Sequence, residues 1–276
     1  MLPHGKLQRG IAGCLLLLYI GCCSLVAFAL YAGMNWPEAS GEKRYSRGSL
    51  TVDASHADDG YIMARGEGAS GKLKLRVSRG EETYTYDINN LGEFETFPLQ
   101  MGSGGYTVSL FKNLKGNKYS KEGSVEFSAD MPDENAAFLY PNQYVNYTPD
   151  CPAVALSMQI CEGLTSDREK FEAVRSYIKA NFLYDYVKAT TVPAGSMPDI
   201  DGCLETHMGI CQDLTALAAC MLRVQGIPAK LVIGYADRNY HAWNSVLIDG
   251  EYVMLDVTAD LKGISGNVVY TVERCY

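Results

Sequence analysis

The chain has 276 residues, of which 47% are hydrophobic and 20% charged, and its formal net charge at pH 7 is −8. This length and composition are typical of a globular protein with room for two modest domains. The negative charge, together with the lack of any sequence run rich in Lys and Arg, argues against a nucleic-acid partner.

A nearly unbroken apolar run occupies residues 11–32 and follows a short basic tail. At ~1.5 Å per residue, a helix of this run would be about 33 Å long, enough to cross a bilayer. We predict that residues 1–34 are a cytosolic tail plus a signal-anchor segment, which places the rest of the chain outside the membrane. A cleaved signal peptide, cut near residues 27–32, and a lipoprotein cut before Cys22 are the alternatives. In each case the body of the protein is exported.

Residues 35–47 are polar and predict a linker. From 48 to 130 the sequence alternates between apolar and polar residues in short runs separated by turn residues. Seven runs at roughly ten-residue spacing predict a small antiparallel β-sandwich. The segment contains no set of residues with catalytic chemistry. We therefore interpret it as a spacer, with a substrate-binding or adhesive module as the alternative.

Residues 131–276 change to helical patterning. Pro152 suits the first turn of a helix, and Ser166 with Glu169 forms a capping box that opens a second helix. A third helix is predicted from Cys211 to Gln225 and ends before Gly226. The stretch 184–204, rich in Pro and Gly, is predicted to be a loop that forms one wall of a cleft.

Cys211 is the candidate nucleophile of the chain. It shares one face of the third helix with apolar residues, so its thiol lies at the helix N-terminus and at the end of the buried stripe. Unpaired backbone N–H groups and the positive end of the helix dipole stabilise a thiolate there. The thiolate is the reactive form of cysteine.

A hairpin places a base and a carboxylate near each other. Strands are predicted at 229–235, 241–248 and 251–258, with the turn at residues 249–250. If Ile248 pairs with Glu251, His241 lies opposite Thr258 and diagonal to Asp256 on the same face. Diagonal neighbours are ~7–8 Å apart, within reach of a His–Asp hydrogen bond.

Cysteine, histidine and aspartate are the residues needed for a thiol nucleophile, its base and an orienting carboxylate. The other histidine in this half of the chain is His207, four residues before Cys211, and it is the alternative base.

These residues lie in segments that resemble the transglutaminase-like superfamily. The segments are Gly209–Asp213, Arg223–Lys230, Gly234–Tyr235, His241–Asn244 and Asp256–Thr258. The resemblance implies an α+β, papain-like cysteine-enzyme core within 131–276, with Cys211 as nucleophile, His241 as general base and Asp256 as its orienting residue. The chain departs from the family pattern near the aspartate, where Tyr252 and Val257 stand at positions that often carry Trp and Pro.

The resulting hypothesis is an enzyme that attacks amide bonds of peptides or proteins through a thioester, followed by hydrolysis or acyl transfer. It requires no cofactor and no metal. The backbone N–H of Cys211 is one candidate oxyanion donor. Four further residues are candidates for oxyanion or substrate binding: Gln212, Met208, Trp243 and Tyr235. The alternative hypothesis is a non-catalytic cell-surface binding or adhesion protein that uses the same fold.

The remaining cysteines of the body are ambiguous. Cys151, Cys161, Cys203 and Cys275 could form two disulfides or none, and the sequence does not choose among the three pairings. Cys220 lies within the third helix, where a buried free thiol behaves as a small hydrophobic side chain. The sequence contains no Cys-x-x-Cys pair, which argues against a structural zinc site.

Overall fold

A computed structural model of the protein describes residue 34 and residues 36–67, 71–264 and 266–276. The apolar run predicted to be an anchor at 11–32 lies outside these residues. Among the helices that the structure describes, none has the length and apolar character needed to span a bilayer. From residue 36 onward, the described residues form one compact unit.

The N-terminal half of this unit consists of antiparallel β-structure. Eight strands in the described residues form two four-stranded sheets, with orders β1-β2-β3-β6 and β5-β4-β7-β8. The strands are β1 (Arg44–Arg47), β2 (Leu50–Asp53), β3 (Tyr61–Gly66), β4 (Leu73–Arg79), β5 (Glu82–Ile88), β6 (Glu95–Pro98), β7 (Gly104–Lys115) and β8 (Lys118–Ala129). The seven predicted strands correspond to β2 to β8, so the sheet-rich character of this region is confirmed.

The alternation of buried and exposed side chains explains why the sequence pattern predicts these strands. Along β4, Leu73, Leu75 and Val77 are buried, while the residues between them are more exposed. Successive side chains of a strand point to opposite faces, so each sheet gains one apolar face. Aromatic residues complete the apolar interior, as where Tyr86 meets Phe97 edge-to-face at 5.2 Å between ring centroids.

Strand β1 corrects the prediction of a linker over 35–47. Arg44–Arg47 pairs with Leu50–Asp53 in an antiparallel hairpin, although all four of its residues are exposed. The turn uses Gly48 at φ +58°, where a Cβ would collide with the carbonyl oxygen of Glu122. An exposed edge strand without buried side chains has no apolar alternation, so the sequence pattern gave no sign of it.

The C-terminal half is a mixed α/β structure built around one antiparallel sheet of order β13-β12-β11-β14. Its strands are β11 (Ala229–Ala236), β12 (Asn239–Ile248), β13 (Glu251–Leu255) and β14 (Tyr270–Cys275), and a short parallel pair is formed by β9 (Leu183–Tyr184) and β10 (Met208–Gly209). The described helices are α1 (Pro152–Ile160), α2 (Asp167–Asn181), α3 (Tyr186–Thr191), α4 (Ile200–Thr206), α5 (Cys211–Arg223) and α6 (Val257–Lys262).

Helix α5 is the centre of this half. Every residue from Asp213 to Arg223 is buried, and the helix packs against β12 and against α1, α2 and α4. Small side chains at Ala216, Ala218 and Ala219 allow this close packing. A helix covered on all sides by protein holds its first residue, Cys211, in a fixed place at the edge of the sheet.

Helix α2 begins as predicted. Ser166 Oγ accepts a hydrogen bond from the Glu169 backbone N–H at 3.2 Å, and Glu169 Oε2 accepts one from the Ser166 backbone N–H at 3.0 Å. This reciprocal capping box is confirmed, and Phe171, Val174 and Ile178 form the buried face of the helix.

The prediction of a loop over residues 184–204 is wrong in part, because the structure contains two short helices there. Asp185 caps α3 through a hydrogen bond from the Lys188 backbone N–H, and Asp199 caps α4 through one from Gly202. Only residues 192–199 between them are irregular. Helices of six and seven residues are too short to show a full apolar stripe, which is why patterning did not predict them.

The buried guanidinium of Arg223 ties this half together. It is 1% exposed and donates to the main-chain oxygens of Ala229 (2.8 and 3.0 Å), Tyr140 (2.6 Å) and Tyr276 (2.9 Å). Burial lowers its pKa to about 10. One side chain thus joins the end of α5 to the start of β11 and to the last residue of the chain.

Candidate active site

Cys211 is the first residue of α5 and is partly exposed. The turn that presents it is braced by Asp213, which is fully buried. Asp213 Oδ2 accepts the Ile210 N–H at 3.0 Å, and its Oδ1 accepts the Asp199 N–H at 3.0 Å. Lys188 Nζ lies 2.7 Å from Oδ2 and offsets the buried charge. This network fixes the backbone on both sides of the thiol.

His241 lies on β12 between the other two members of the predicted set. Its Nε2 is 2.8 Å from Asp256 Oδ2. It lines the same two cavities as Cys211, whose side chain is close enough to raise the pKa of the imidazole. Because Nε2 faces the carboxylate, Nδ1 is the atom left for the thiol. Trp243 stacks beside the imidazole, with ring centroids 6.2 Å apart.

Asp256 is held from three sides. Its Oδ1 accepts the Ala259 backbone N–H at 2.9 Å, which makes it the N-cap of α6. Its Oδ2 accepts both from His241 and from the Tyr270 hydroxyl, the latter at 2.8 Å. The carboxylate is therefore oriented by a helix cap, a phenol and the imidazole.

The predicted route by which Asp256 reaches His241 is corrected in part. The hairpin pairs Ile248 with Glu251, as predicted, and the register continues to Asn244 opposite Leu255. Beyond Leu255 the chain leaves the strand and enters α6, so Thr258 is not opposite His241. The cap formed by the Asp256 side chain ends the strand and starts the helix, and pattern analysis of 251–258 as one strand missed it.

Burial and hydrogen bonding act in opposite directions on the imidazole. Burial lowers the pKa of His241, but the hydrogen bonds to Asp256 and Cys211 outweigh it and raise the pKa to about 9. For Asp256 the directions are reversed. Burial raises the pKa of its carboxyl group, but the hydrogen bond and charge of His241 lower it by more, so the net shift is a decrease. Both shifts favour an imidazolium next to a carboxylate at neutral pH.

Two cavities open on either side of Cys211 and His241. The larger has a volume of about 550 Å³ and extends toward the 192–197 segment and the end of β14. The smaller, of about 340 Å³, extends toward Asp256 and α6. Both are lined by Tyr184 and Tyr240 as well as by Cys211 and His241. A bound substrate could therefore approach the thiol from two directions.

The four residues predicted for oxyanion or substrate binding occupy different places. Gln212 lines the larger cavity, and its Nε2 donates to the Ser196 carbonyl at 3.2 Å. Trp243 is buried behind the imidazole. Met208 and Tyr235 are not among the residues that line either cavity.

The alternative base, His207, lies at the end of α4 in the left-handed conformation, with φ 54°. Its ring packs against Phe182 at 5.1 Å between centroids, and it lines neither cavity. The histidine that meets Cys211 in the structure is His241.

The six cysteines in the described residues all carry free thiols. Cys151 Sγ donates to Asp201 Oδ1 at 3.1 Å. In the same part of the chain, no group of three or more His, Cys, Asp or Glu side chains is arranged to hold a metal ion.

Tyr270 is a site residue that the sequence did not reveal. It comes from β14, a strand that lies outside every helix and strand predicted from the sequence. The only available signal would have been the alternation of β14 itself, which is weak because most of its residues are exposed.

The substitution Tyr270→Phe should lower the free energy of unfolding by about 1 kcal/mol at pH 7, because Asp256 loses one hydrogen-bond donor. The pKa of Asp256 is depressed, so its contribution to stability is present above the unfolded pKa and is lost as the pH falls through the folded one. The difference between the two proteins should therefore shrink in acid. Urea unfolding between pH 3 and 7 measures this.

Tyr235→Phe provides the control, since Tyr235 is exposed and its ring packs edge-to-face against Tyr240 rather than against the site. Equal stability of the Tyr270 and Tyr235 variants at pH 7 would contradict a positioning role for Tyr270.

The fold and the site together define a mixed α/β protein in which a cysteine at a helix N-terminus lines the same cavity as a hydrogen-bonded His–Asp pair. Residues 154–257 match the model of the transglutaminase-like superfamily. The matched segment, which is similar to this superfamily, contains Cys211, His241 and Asp256.

A curated relative is an uncharacterized protein, YebA, from Bacillus subtilis strain 168. It is 24% identical over 159 residues, which cover 56% of this chain and 19% of YebA. The chain thus spans about a fifth of the length of this relative.

Several solved structures are similar to parts of the chain. A crystal structure of a TGase is 21% identical, with a TM-score of 0.35, and the match covers 42% of this chain and 32% of that one. A candidate cysteine protease from Cytophaga hutchinsonii is 14% identical, with a TM-score of 0.38 and coverage of 85% and 92%. Red sea bream transglutaminase is 12% identical, with a TM-score of 0.33 and coverage of 72% and 48%.

Proposed function

We propose that the protein is a cysteine enzyme that cleaves amide bonds of peptides or proteins through a thioester. The observation that carries this proposal is that His241 contacts the Asp256 carboxylate at 2.8 Å and lines both cavities together with Cys211, the first residue of α5. This contact lies where the two cavities meet. A histidine between a thiol and a carboxylate is the arrangement that activates a thiol nucleophile.

In the proposed mechanism, the Cys211 thiolate attacks the amide carbonyl and forms a C–S bond. The backbone N–H of Cys211 supports the negative charge that develops on the carbonyl oxygen. The His241 imidazolium then gives its proton to the leaving nitrogen as the C–N bond breaks, so that ammonia or an amine departs. Asp256 holds the ring in place and stabilises its positive charge.

The second half of the reaction releases the acyl group. Water or a second amine attacks the thioester, His241 accepts its proton, and the C–S bond breaks to return the thiolate. Hydrolysis and acyl transfer use the same residues. The exclusion of water from the two cavities decides between them.

Alkylation of the full chain with iodoacetamide between pH 5 and 9, read by peptide mass spectrometry, tests the proposal. We expect rapid labelling of Cys211 at pH 6 and no such product in Cys211→Ala. Cys275, also partly exposed and outside the site, is the internal control and should react slowly at that pH. Labelling of Cys211 that rises only above pH ~8, as for an isolated thiol, would refute an enzyme of this type. It would favour the non-catalytic binding protein instead.

We also propose that the protein is exported and held at the membrane by residues 11–32. The apolar length of this run and the basic tail before it support the proposal. Retention of the full chain in the membrane pellet after alkaline extraction is the expected result. Release into the supernatant as a shortened chain would show that the segment is a cleaved leader instead.

A further inference from the structure

The larger cavity beside Cys211 has an unusual charge for this protein. Of the described residues that line it, none is Asp, Glu or Lys, whereas Arg274 carries a permanent positive charge there. The remaining ionisable residues of this cavity are tyrosines, Cys211 and His241, and in the proposed mechanism Cys211 and His241 together add no net charge. A chain with a net charge of −8 therefore presents a cationic surface in this cavity.

Arg274 has a defined position relative to the reacting groups. It pairs across the sheet with Ile233, and Ile233 pairs with Ala242, the neighbour of His241. All three of these paired residues line the cavity. Adjacent strands are about 4.8 Å apart, so the backbone of Arg274 lies roughly 10 Å from that of Ala242.

The guanidinium of Arg274 has no carboxylate partner in the described part of the chain. Its contact is with the face of Tyr84, with 4.9 Å between the guanidinium carbon and the ring centroid. The residue is exposed, so the stacking holds the side chain while leaving its N–H groups free to bind. Tyr144 and Tyr276, stacked at 3.6 Å between ring centroids, form the adjoining wall.

The smaller cavity differs. It is lined by the carboxylates Asp237 and Asp256 and, besides His241, by Lys262, whose ammonium lies 3.4 Å from the centroid of the Tyr184 ring. An anionic group would meet repulsion from the carboxylates there and attraction beside Arg274. The difference in charge between the two cavities therefore favours a substrate orientation in which an anionic group lies in the larger cavity, beside Arg274.

We propose that the larger cavity binds peptides that carry an anionic side chain about three residues from the reacting amide, and that Arg274 determines this specificity. About three residues of extended chain cover 10 Å. Guanidinium and carboxylate groups form paired, charge-assisted hydrogen bonds, which are stronger than neutral ones. The inference rests on the proposed function, because it names the substrate class for the same thiol.

The test uses two reactive peptides of equal shape, iodoacetyl-Ala-Ala-Glu amide and iodoacetyl-Ala-Ala-Gln amide. Each alkylates a thiol, and only the first carries a carboxylate within reach of Arg274. The measurement is the rate of Cys211 labelling in the full chain at pH 7, expressed as the ratio of the Glu to the Gln probe. We expect a ratio of about ten, decreasing at high salt because screening weakens the attraction.

Two substitutions at Arg274 and one control distinguish binding at Arg274 from the effect of the overall charge of the protein. Arg274→Gln should bring the ratio to about one, and Arg274→Lys should keep a ratio above one. Arg238→Gln removes the same charge from an exposed turn residue that lines neither cavity, and it should keep the full ratio. Thermal unfolding of each variant checks that the fold is retained.

The outcomes also separate this inference from the proposed function. Equal rates for both probes in the unmodified protein, a preference that survives Arg274→Gln, or equal loss in Arg238→Gln would each overturn the role of Arg274. Slow labelling of Cys211 by the neutral probe, unchanged in His241→Ala, would instead overturn the enzyme itself.

Discussion

Replacing His241 with alanine is expected to reduce the rate of Cys211 alkylation at pH 6 by about tenfold or more. Without an imidazolium next to it, a thiol with an ordinary pKa near 8.5 is less than about 1% ionised at pH 6. A more basic thiolate is a better nucleophile, which offsets part of this loss. The rate of the variant should increase steeply with pH, while that of the unmodified protein should be nearly flat between pH 6 and 8.

His207→Ala is the matched control for this prediction, because it removes the other histidine of the same half without touching either cavity. It should leave the labelling profile unchanged. Were His207→Ala to slow labelling at pH 6 and His241→Ala to leave it intact, the assignment of the base would be wrong.

The substitution His241→Ala is also expected to change the stability of the protein in a pH-dependent way. The pKa of His241 is raised to about 9 in the folded protein, above the ordinary value of about 6.5. Its ion pair therefore contributes stability that is complete below pH ~6.5 and is lost as the pH rises through about 9. The melting temperature of His241→Ala should be further below that of the unmodified protein at pH 6 than at pH 10.

Arg223→Met is expected to lower the free energy of unfolding by about 3–5 kcal/mol, the largest stability effect that we predict. Methionine fills similar space but leaves the main-chain oxygens of Tyr140 and Ala229 without the donor that the structure gives them, whereas the oxygen of Tyr276 keeps the hydrogen bond from the Leu231 N–H at 2.8 Å. Each buried acceptor left unpaired costs about 1–3 kcal/mol. Urea unfolding at pH 7 measures the change.

Arg168→Met tests whether charge loss alone causes such an effect. Arg168 pairs with Asp249 at 3.0 Å, but both side chains are more than half exposed. Exposed ion pairs contribute about 0–1 kcal/mol, so this variant should remain near the stability of the unmodified protein. A comparable, small loss in Arg223→Met would show that its carbonyl partners are satisfied in another way.

Local sequence determined those features that depend on nearest neighbours along the chain. The capping box of Ser166 and Glu169, the stripe of α2 and the two-residue turn after Ile248 all follow from spacing, and each is present. The seven predicted strands of the N-terminal half follow from alternation of buried and exposed side chains. The spacing of apolar residues predicts these elements because side chains at fixed intervals along a helix or strand lie on the same face.

The candidate site could be predicted as a set of residues but not as a geometry. Cysteine at a helix start and histidine on a following strand were visible from patterning. The position of Asp256 was derived from continuing a hairpin register, whereas the structure places it as the cap of α6. The Asp256 side chain still reaches His241. Asp256 directly follows the last residue of β13, and His241 lies near the start of the antiparallel partner strand β12.

Tertiary structure alone decided which distant segments complete the site. Tyr270 and Arg274 are near Asp256 and Ala242 only because β14 pairs with β11 on the far edge of the sheet. The fully buried Arg223 would be expected on the surface from its type, and only the three carbonyls around it explain its burial. Such contacts join residues far apart in the chain, so their formation depends on how the elements pack, which local spacing does not encode.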